Sequence, residues 1–489
     1  MTIQKFSDKT NLNIDKVVIL LLPILLAISL LVFKGKALIF TCSFIISFLF
    51  YEIVVYQNRM KYGLCGLKIV TIPSLVTLTY TVFIAIPGIY VASTNVNMVY
   101  PFYLSIILYY YIFPAGLYTG EFLWPLDKQK FLKLYEKEVK REEYEEVIFK
   151  LLIILYVVCF AGSILYIYRM GKIPLIELIK EPGLYNKAKM LREEAHKLLD
   201  VSMIEKYFYN WLRNLFYPLG AVGTLFYAIH YKKNIYKIFF IIFFITGLFV
   251  NSLALTKSPS AGILLAILVF YYFYKKKVTL KFILITISLS LLFPILLTVL
   301  IYAKHPDLFR LIYITYWNRI IIVPSEVLYL HFKIIPNIHD FLYGRSTHLF
   351  SWMSEKGLFN LSNYVMKVWW NDPTTTGSAN AIYMANYWAD FGYYGLIIPH
   401  FIVGVVFYYF YWLVLKASRY KLNIIYMVTI STASPIFTFC FFSSNFTILF
   451  TTRGLIIIII VLLIWQHIIN NKEYINNHSS NKSINTMNI

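Results

Sequence analysis

The sequence predicts an all-α polytopic membrane protein with about twelve transmembrane helices and two long segments on one membrane face. Hydrophobic residues fill 59% of the 489 positions and charged residues only 14%, a balance that a soluble domain of this length has no use for. The apolar residues fall in runs of about twenty, the length that crosses about 30 Å of hydrocarbon. The 45 lysines and arginines against 24 acids, a net +21, cluster in short connections between those runs, as membrane topology requires. No basic domain, zinc pattern or aromatic sheet signature accompanies the charge, so nucleic acid is excluded as a partner and the lipid bilayer is the expected one.

In chain order, a cytoplasmic tail over 1–16 without a cleavage-site pattern leads into five spans over 17–168. These run near Val17 to Phe33, Ala37 to Val55, Ile69 to Ser93, Phe102 to Trp124 and Val147 to Tyr168. An outer segment over 169–210 follows, then spans within 211–303: Trp211 to His230, Ile238 to Leu255, Ser260 to Tyr274 and Phe282 to Ala303. A large outer segment occupies 304–393, and 394–465 holds spans at Tyr394 to Leu415, Leu422 to Phe442 and Phe446 to Ile464. The Asn/Ser-rich tail over 466–489 reads as disordered and cytoplasmic. Placing KQKFLKLYEKEVKR, YKKNIYK, KKKVTLK and KASRYK on the cytoplasmic side puts both termini inside, with Lys34 and Lys36 as exceptions in a tight outward turn. Cys42, Cys65, Cys159 and Cys440 are scattered, without disulfide or metal spacing.

Function is to be sought in the two outer segments, which are too long for plain connections and too aromatic for disorder. In YNKAKMLREEAHKLL, Leu184, Ala188, Leu191, Ala195 and Leu198 recur at helical spacing opposite a charged face that includes Arg192, the pattern of a helix lying on a membrane surface. Lys257, with Thr256, Ser258 and Ser260, precedes an apolar run of about fifteen residues, too short to span comfortably, so it should be drawn below the outer surface. Arg310, Tyr313, Trp317 and Arg319 sit among apolar residues with Glu326 two turns on. Guanidinium pairs bidentately with phosphate while aromatic rings stack on sugar faces; the competing reading is interfacial arginines that snorkel. Arg345 and His348 follow a glycine in YGRSTH, and His305, His331 and His339 lie in the same segment without zinc-ligand spacing, so no metal or cofactor is expected. The stretch TTTGSANAIYMANYWADFGYYG, with Asn380, Tyr387, Trp388 and Asp390, has the residue types of a carbohydrate lining or of an interfacial aromatic belt.

GKIPLIELI after a span, then LREEA, LALTKSPSAGILL, NRIIIVPSEVLYLHF and GSANAIYMANYWADFGYYGLII, in that order, resemble the bacterial O-antigen or oligosaccharide repeat unit polymerases, over about Val147 to Tyr411. The resemblance implies a GT-C-like fold and a metal-independent inner-membrane glycosyltransferase. Its substrate would be an undecaprenyl-pyrophosphate-linked oligosaccharide, and a polysaccharide chain-length regulator is the further partner considered. Arginines of the two outer segments are the residues stressed in that family, which here points to Arg192 and Arg319. An arginine–fifteen residues–glycine motif known in some members is absent, which leaves the catalytic assignment open. In this reading Arg192, Arg319 and Lys257 stabilise the departing pyrophosphate, with His348, Glu326 and Asp390 as base candidates in that order. Arg310, Arg345, Asn380, Tyr387 and Trp388 bind substrate. The alternatives are an O-antigen-type ligase and a polysaccharide flippase or transporter; the latter usually has matching halves, whereas here the outer polar mass follows spans five and nine.

Overall fold

The computed structural model describes residues 14–62, 71–95, 99–134, 145–182, 190–191, 201–255, 258–275, 284, 288, 295–296, 298–347, 350–375, 377–443 and 445–468. They form an all-helical polytopic bundle with no strand among the described residues. The helices are α1 (Ile14–Val32), α2 (Gly35–Tyr62), α3 (Ile72–Thr94), α4 (Tyr100–Leu123), α5 (Lys128–Leu134), α6 (Glu145–Met170) and α7 (Pro174–Lys180). Then come α8 (Met203–Trp211), α9 (Tyr217–Tyr231), α10 (Asn234–Ser252), α11 (Ser258–Lys275), α12 (Leu308–Tyr316), α13 (Val323–Ile334) and α14 (Leu361–Trp370). The chain ends with α15 (Tyr383–Phe391), α16 (Tyr394–Ala417), α17 (Ile424–Ser443), α18 (Phe446–Phe450) and α19 (Leu455–Ile468). Among the described residues eight helices are long and apolar enough to cross a membrane, in α2, α3, α4, α6, α10, α11, α16 and α17; α1 and α19 contain shorter apolar stretches. Most of the expected span Phe282 to Ala303 and most of the surface helix around Arg192 lie outside the described residues.

Three of these helical stretches are continuous through a π-turn, at Thr81–Ala85, Leu212–Phe216 and Trp317–Ile322. Each π-turn ends two residues before a proline: Pro87, Pro218 and Pro324. Proline donates no N–H and its ring crowds the carbonyl four residues back, so the ladder opens by one residue there. The residue before the proline then bonds five back, Ile86 N–H to the Thr81 carbonyl and Tyr217 N–H to the Leu212 carbonyl.

The last expected span, Phe446 to Ile464, is divided. Asn445 caps α18 by accepting from Thr447 N–H at 3.3 Å, and Arg453 N–H reaches back to the Ile448 carbonyl at 2.9 Å. Gly454 then turns the chain at φ +79°, a conformation glycine adopts without a side-chain clash. Apolar α19 begins only at Leu455.

Lipid tails are as apolar as leucine, so packing between spans comes from close approach and interhelical hydrogen bonds. Helices α4 and α16 run parallel: His400 Nε2–H donates to the Ser105 carbonyl at 3.4 Å near one end, and Tyr408 Oη–H to the Trp124 carbonyl at 3.0 Å near the other. Between these bonds the backbones touch, because a Cβ on Gly116 would collide with the Phe401 carbonyl and one on Gly404 with the Phe113 carbonyl. Along α2, α3 and α4 a hydroxyl ladder adds direction: Tyr51 to Thr77 at 3.2 Å, Thr77 to Tyr109 at 3.0 Å and Thr81 to Tyr110 at 2.8 Å.

Helix 308–334 does not stand clear of the bundle. Its π-turn touches the π-turn of α3, and Tyr329 and Phe332 meet Phe102 of α4 edge-on at 5.5 and 6.1 Å.

Substituting Gly404→Leu should destabilise the bundle by at least about 1–3 kcal/mol, the usual cost of forcing carbon into a packed interface. Gly262→Ala, whose added methyl would sit 3.7 Å from Pro435, should be near neutral. Thermal unfolding of the detergent-solubilised protein would compare them; equal melting would refute the close α4–α16 contact.

Candidate functional site

One end of the bundle gathers the ends of α6, α9, α10 and α17. The π-turn before Pro218 places Arg213 there, 8% exposed. Its Nη1 is 3.4 Å from the Tyr166 hydroxyl and its Nη2 donates to the Asn251 carbonyl at 3.3 Å. Asn251 Nδ2 donates back to the Arg213 carbonyl at 3.3 Å, and the guanidinium lies 5.8 Å from the centre of the Tyr166 ring. The turn after α18 brings Arg453 to the same place. Its Nη1 donates to Asn214 Oδ1 at 2.6 Å and its guanidinium lies 5.1 Å from the Phe439 ring centre. Trp211 Nε1–H fixes that turn by donating to the Thr451 carbonyl at 2.6 Å.

Arg453 is thus oriented by an amide oxygen and a ring, groups that position a cation without cancelling its charge, and a carbonyl, a hydroxyl and a ring are among the partners of Arg213. Among the described residues no carboxylate reaches Arg453; the ion pairs Lys130–Asp127, Arg169–Glu205 and Lys180–Glu177 lie elsewhere. Arg453 bonds Asn214, the residue that follows Arg213, so the two cations share one end of the bundle. An anion seated between the two guanidiniums removes the mutual repulsion and accepts hydrogen bonds from both.

An apolar groove of about 330 Å³ starts beside this pair, in the volume range of small-molecule sites. Leu215 and Phe216 of the π-turn and Ile457 of α19 line its near end. Ile148, Ile424 and Trp465, at the opposite ends of α6, α17 and α19, line its far end. The groove therefore follows the first part of α6 and of α17 and most of α19, and threonines 429 and 432 are the hydroxyl-bearing residues in its wall.

The residues singled out in the sequence are distributed differently. Arg192, Lys257 and His348 lie outside the described residues, although Lys257 is flanked by α10 and α11, and Leu255 beside it adopts φ +54°. Arg319 is exposed on the π-turn before Pro324, and Arg310 is exposed one helical segment earlier. Glu326 is half-buried in the first turn of α13, where burial pushes its carboxyl up. Arg345 donates through Nε to the Gly357 carbonyl at 3.2 Å and lies 5.5 Å from the Phe359 ring centre. Asn380 is exposed.

Asp390 is 1% exposed, and its oxygens accept from Ser346 N–H at 2.9 Å and Ser346 Oγ–H at 2.7 Å. Burial pushes its carboxyl up, with these bonds opposing. Trp388 stacks on Phe332 at 4.9 Å and donates to the Ile335 carbonyl at 2.9 Å, and Tyr387 is 8% exposed. Asp390 and Trp388 thus hold α13, α15 and the 335–347 loop together, with Asn386 Nδ2 adding a bond to the Ser346 carbonyl at 3.1 Å. The structure does not bring Arg319, Glu326 and Asp390 into hydrogen-bond contact with one another among the described residues.

Arg213 and Arg453 escaped the sequence reading because both lie at the edges of apolar runs. One signal was present: RNLFYP around Arg213 repeats the arginine–four residues–proline spacing of RIIIVP around Arg319. Compared with known proteins, the chain matches no family model, no curated protein and no solved structure.

If Asp390 acts as the clamp of this module, Asp390→Ala should cost about 1–3 kcal/mol, the range for stranding buried partners. Amide exchange over 342–347 should accelerate, while Asn380→Ala leaves it unchanged. Unaltered exchange in the Asp390 variant would remove the clamp.

Proposed function

We propose that the protein is a polysaccharide polymerase of the cytoplasmic membrane. It would be a metal-independent glycosyltransferase joining polyprenyl-pyrophosphate-linked oligosaccharide repeat units into O-antigen, capsule or exopolysaccharide. The observation that carries this reading is the convergence of Arg213 and Arg453 at the head of an apolar groove. A lipid whose anionic head is two phosphates and whose tail is hydrocarbon has the same division of charge and apolar surface. The order of motifs in the sequence supplies the reaction class, with twelve crossings, a GT-C-like arrangement and both termini in the cytoplasm.

In this mechanism an acceptor hydroxyl attacks the anomeric carbon of the donor sugar. The new glycosidic C–O bond forms as the bond from that carbon to the pyrophosphate oxygen breaks, and the electron pair leaves with pyrophosphate. Arg213 and Arg453 stabilise that charge from fixed positions, where low dielectric makes each donor count, and Lys257 adds to it. The hydroxyl proton passes to a carboxylate or imidazole of the 304–393 segment, with His348 and Glu326 as candidates. Arg192 and Arg319 contribute positive charge from the outer segments, and Arg310, Arg345 and Asn380 meet the glycan.

Arg213→Ala and Arg453→Ala should each slow polymer formation from lipid-linked repeat units by about 10²–10³-fold, as loss of one preorganised donor does. Lysine at either position should restore part of the rate, since charge returns without the planar fork. Elongation should also persist in excess chelator. Normal polymer from both folded alanine variants would sink the site, and loss confined to Arg319→Ala would move the leaving-group site to helix 308–334.

The orientation is tested separately by Ser378→Cys, at an exposed position. This cysteine should react with an impermeant thiol reagent in intact spheroplasts, and labelling only after lysis would reverse the topology.

A further inference from the structure

Glu52 is 1% exposed, and among the described residues neither of its carboxyl oxygens has a hydrogen-bond partner. It shares a helical face with Phe48, one turn before it, and follows Tyr51; both neighbours pack on Tyr110, at 5.4 and 5.8 Å between rings. Higher on the same helices Phe40 meets Tyr103 at 4.7 Å, so α2 and α4 run parallel. Glu52 is twelve residues beyond Phe40, about 18 Å along the helix, within the apolar stretch Gly35–Ile53 and near its far end. Tyr110 bonds Thr81, at the start of the π-turn in the middle of α3. Glu52 therefore sits inside the apolar length of α2, near a phenol that bonds the break in the helical ladder of α3.

An ionised carboxylate buried there without a partner costs far more than taking up a proton. The titratable groups around it are phenols: Tyr51 on its own helix, Tyr109 and Tyr110 on α4, and Tyr80 on α3, whose hydroxyl is itself buried without a hydrogen-bond partner among the described residues. On α5, which also packs on α2, Lys130 is bound to Asp127 at 3.0 Å and is 68% exposed.

We propose that Glu52 is a proton-binding site inside the bundle, its carboxyl carrying a proton in the state seen here. This inference is independent of the glycosyltransferase reading. Hydroxyls bonded to one another from Tyr51 through Thr77 to Tyr109 begin at the residue next to this acid. The π-turn of α3, reached through Tyr110 and Thr81, gives that helix a place to loosen and exchange the proton.

Dicyclohexylcarbodiimide partitions into bilayers and reacts with the protonated carboxyl alone. Full-length protein in liposomes at neutral pH should be labelled on the peptide containing Glu52, and a water-soluble carbodiimide should leave that peptide unmodified. Above the midpoint of titration the labelling rate should fall about tenfold per pH unit, following the protonated fraction. Difference infrared spectra of wild type against Glu52→Gln should show a protonated carboxyl band at neutral pH that belongs to Glu52. The glutamine replacement is neutral and of equal size, and peptide mapping of the wild type gives an answer even if that variant fails to fold. An unlabelled Glu52 peptide at neutral pH, labelling indifferent to pH, or an ionised carboxylate in the spectra would overturn the proposal.

Discussion

The demand that every backbone N–H find an acceptor where no water can supply one shapes this bundle more than any single side-chain contact. Proline breaks that accounting, and Pro87, Pro218 and Pro324 each sit two residues beyond a π-turn that restores it. The consequence reaches the side chains. A π-turn adds a residue to the turn and rotates the rest of the helix, so a position that helical spacing assigns to lipid can face inward instead. Arg213 and Thr81 arrive at their interior places this way. Arg319 occupies the equivalent position before Pro324 yet remains exposed. The same backbone device thus delivers different surroundings, decided by what packs alongside.

The electrostatics of the Arg213–Arg453 end depend on that placement. Neutral acceptors such as Asn214 Oδ1 and the Asn251 carbonyl hold the guanidiniums at fixed angles. Holding two cations near each other in partly dry surroundings is unfavourable. A carboxylate between them would relieve the strain permanently and would leave nothing for a ligand. Asn214 and Phe439 hold Arg453 without cancelling its charge. The groove beginning at Leu215 then matters because charge and apolar surface adjoin without an intervening polar belt.

Much of the fold was legible in the sequence because apolar runs and helix length are set by the same hydrocarbon thickness. The runs at Ile69 to Ser93 and Phe102 to Trp124 correspond to α3 and α4 within a few residues. The run Phe446 to Ile464 failed at its start, since five consecutive isoleucines after Leu455 dominate any average taken across Arg453 and Gly454. The site was less legible. Arg453 and Asn214 are 239 residues apart, and periodicity says which face of a helix is apolar, never which helix ends meet. The GSANAIYMANYWADF stretch shows the complementary ambiguity: Asn386, Trp388 and Asp390 have the donors and acceptors of a glycan lining, but here their partners are Ser346 and Ile335 of the same module.

The bundle also divides its packing devices unevenly, and that division explains how a rigid module and an open groove can share one structure. On the α2, α3, α4 and α16 side, hydroxyl pairs, stacked phenols and the Gly116–Gly404 contact fix the helices at close range. The module carrying α15 is tied to this side, because Tyr383 donates its phenolic proton to His400 Nδ1, and His400 in turn donates to the Ser105 carbonyl of α4. On the α6, α9, α17 and α19 side, the facing residues around the groove are branched aliphatics such as Leu151, Val428 and Val461. Aliphatic contacts of that kind are no stronger with another helix than with lipid. Helices joined chiefly by them can separate to admit a hydrocarbon chain at little cost, while the hydroxyl-bonded side stays in register and keeps the 335–393 module above a constant base.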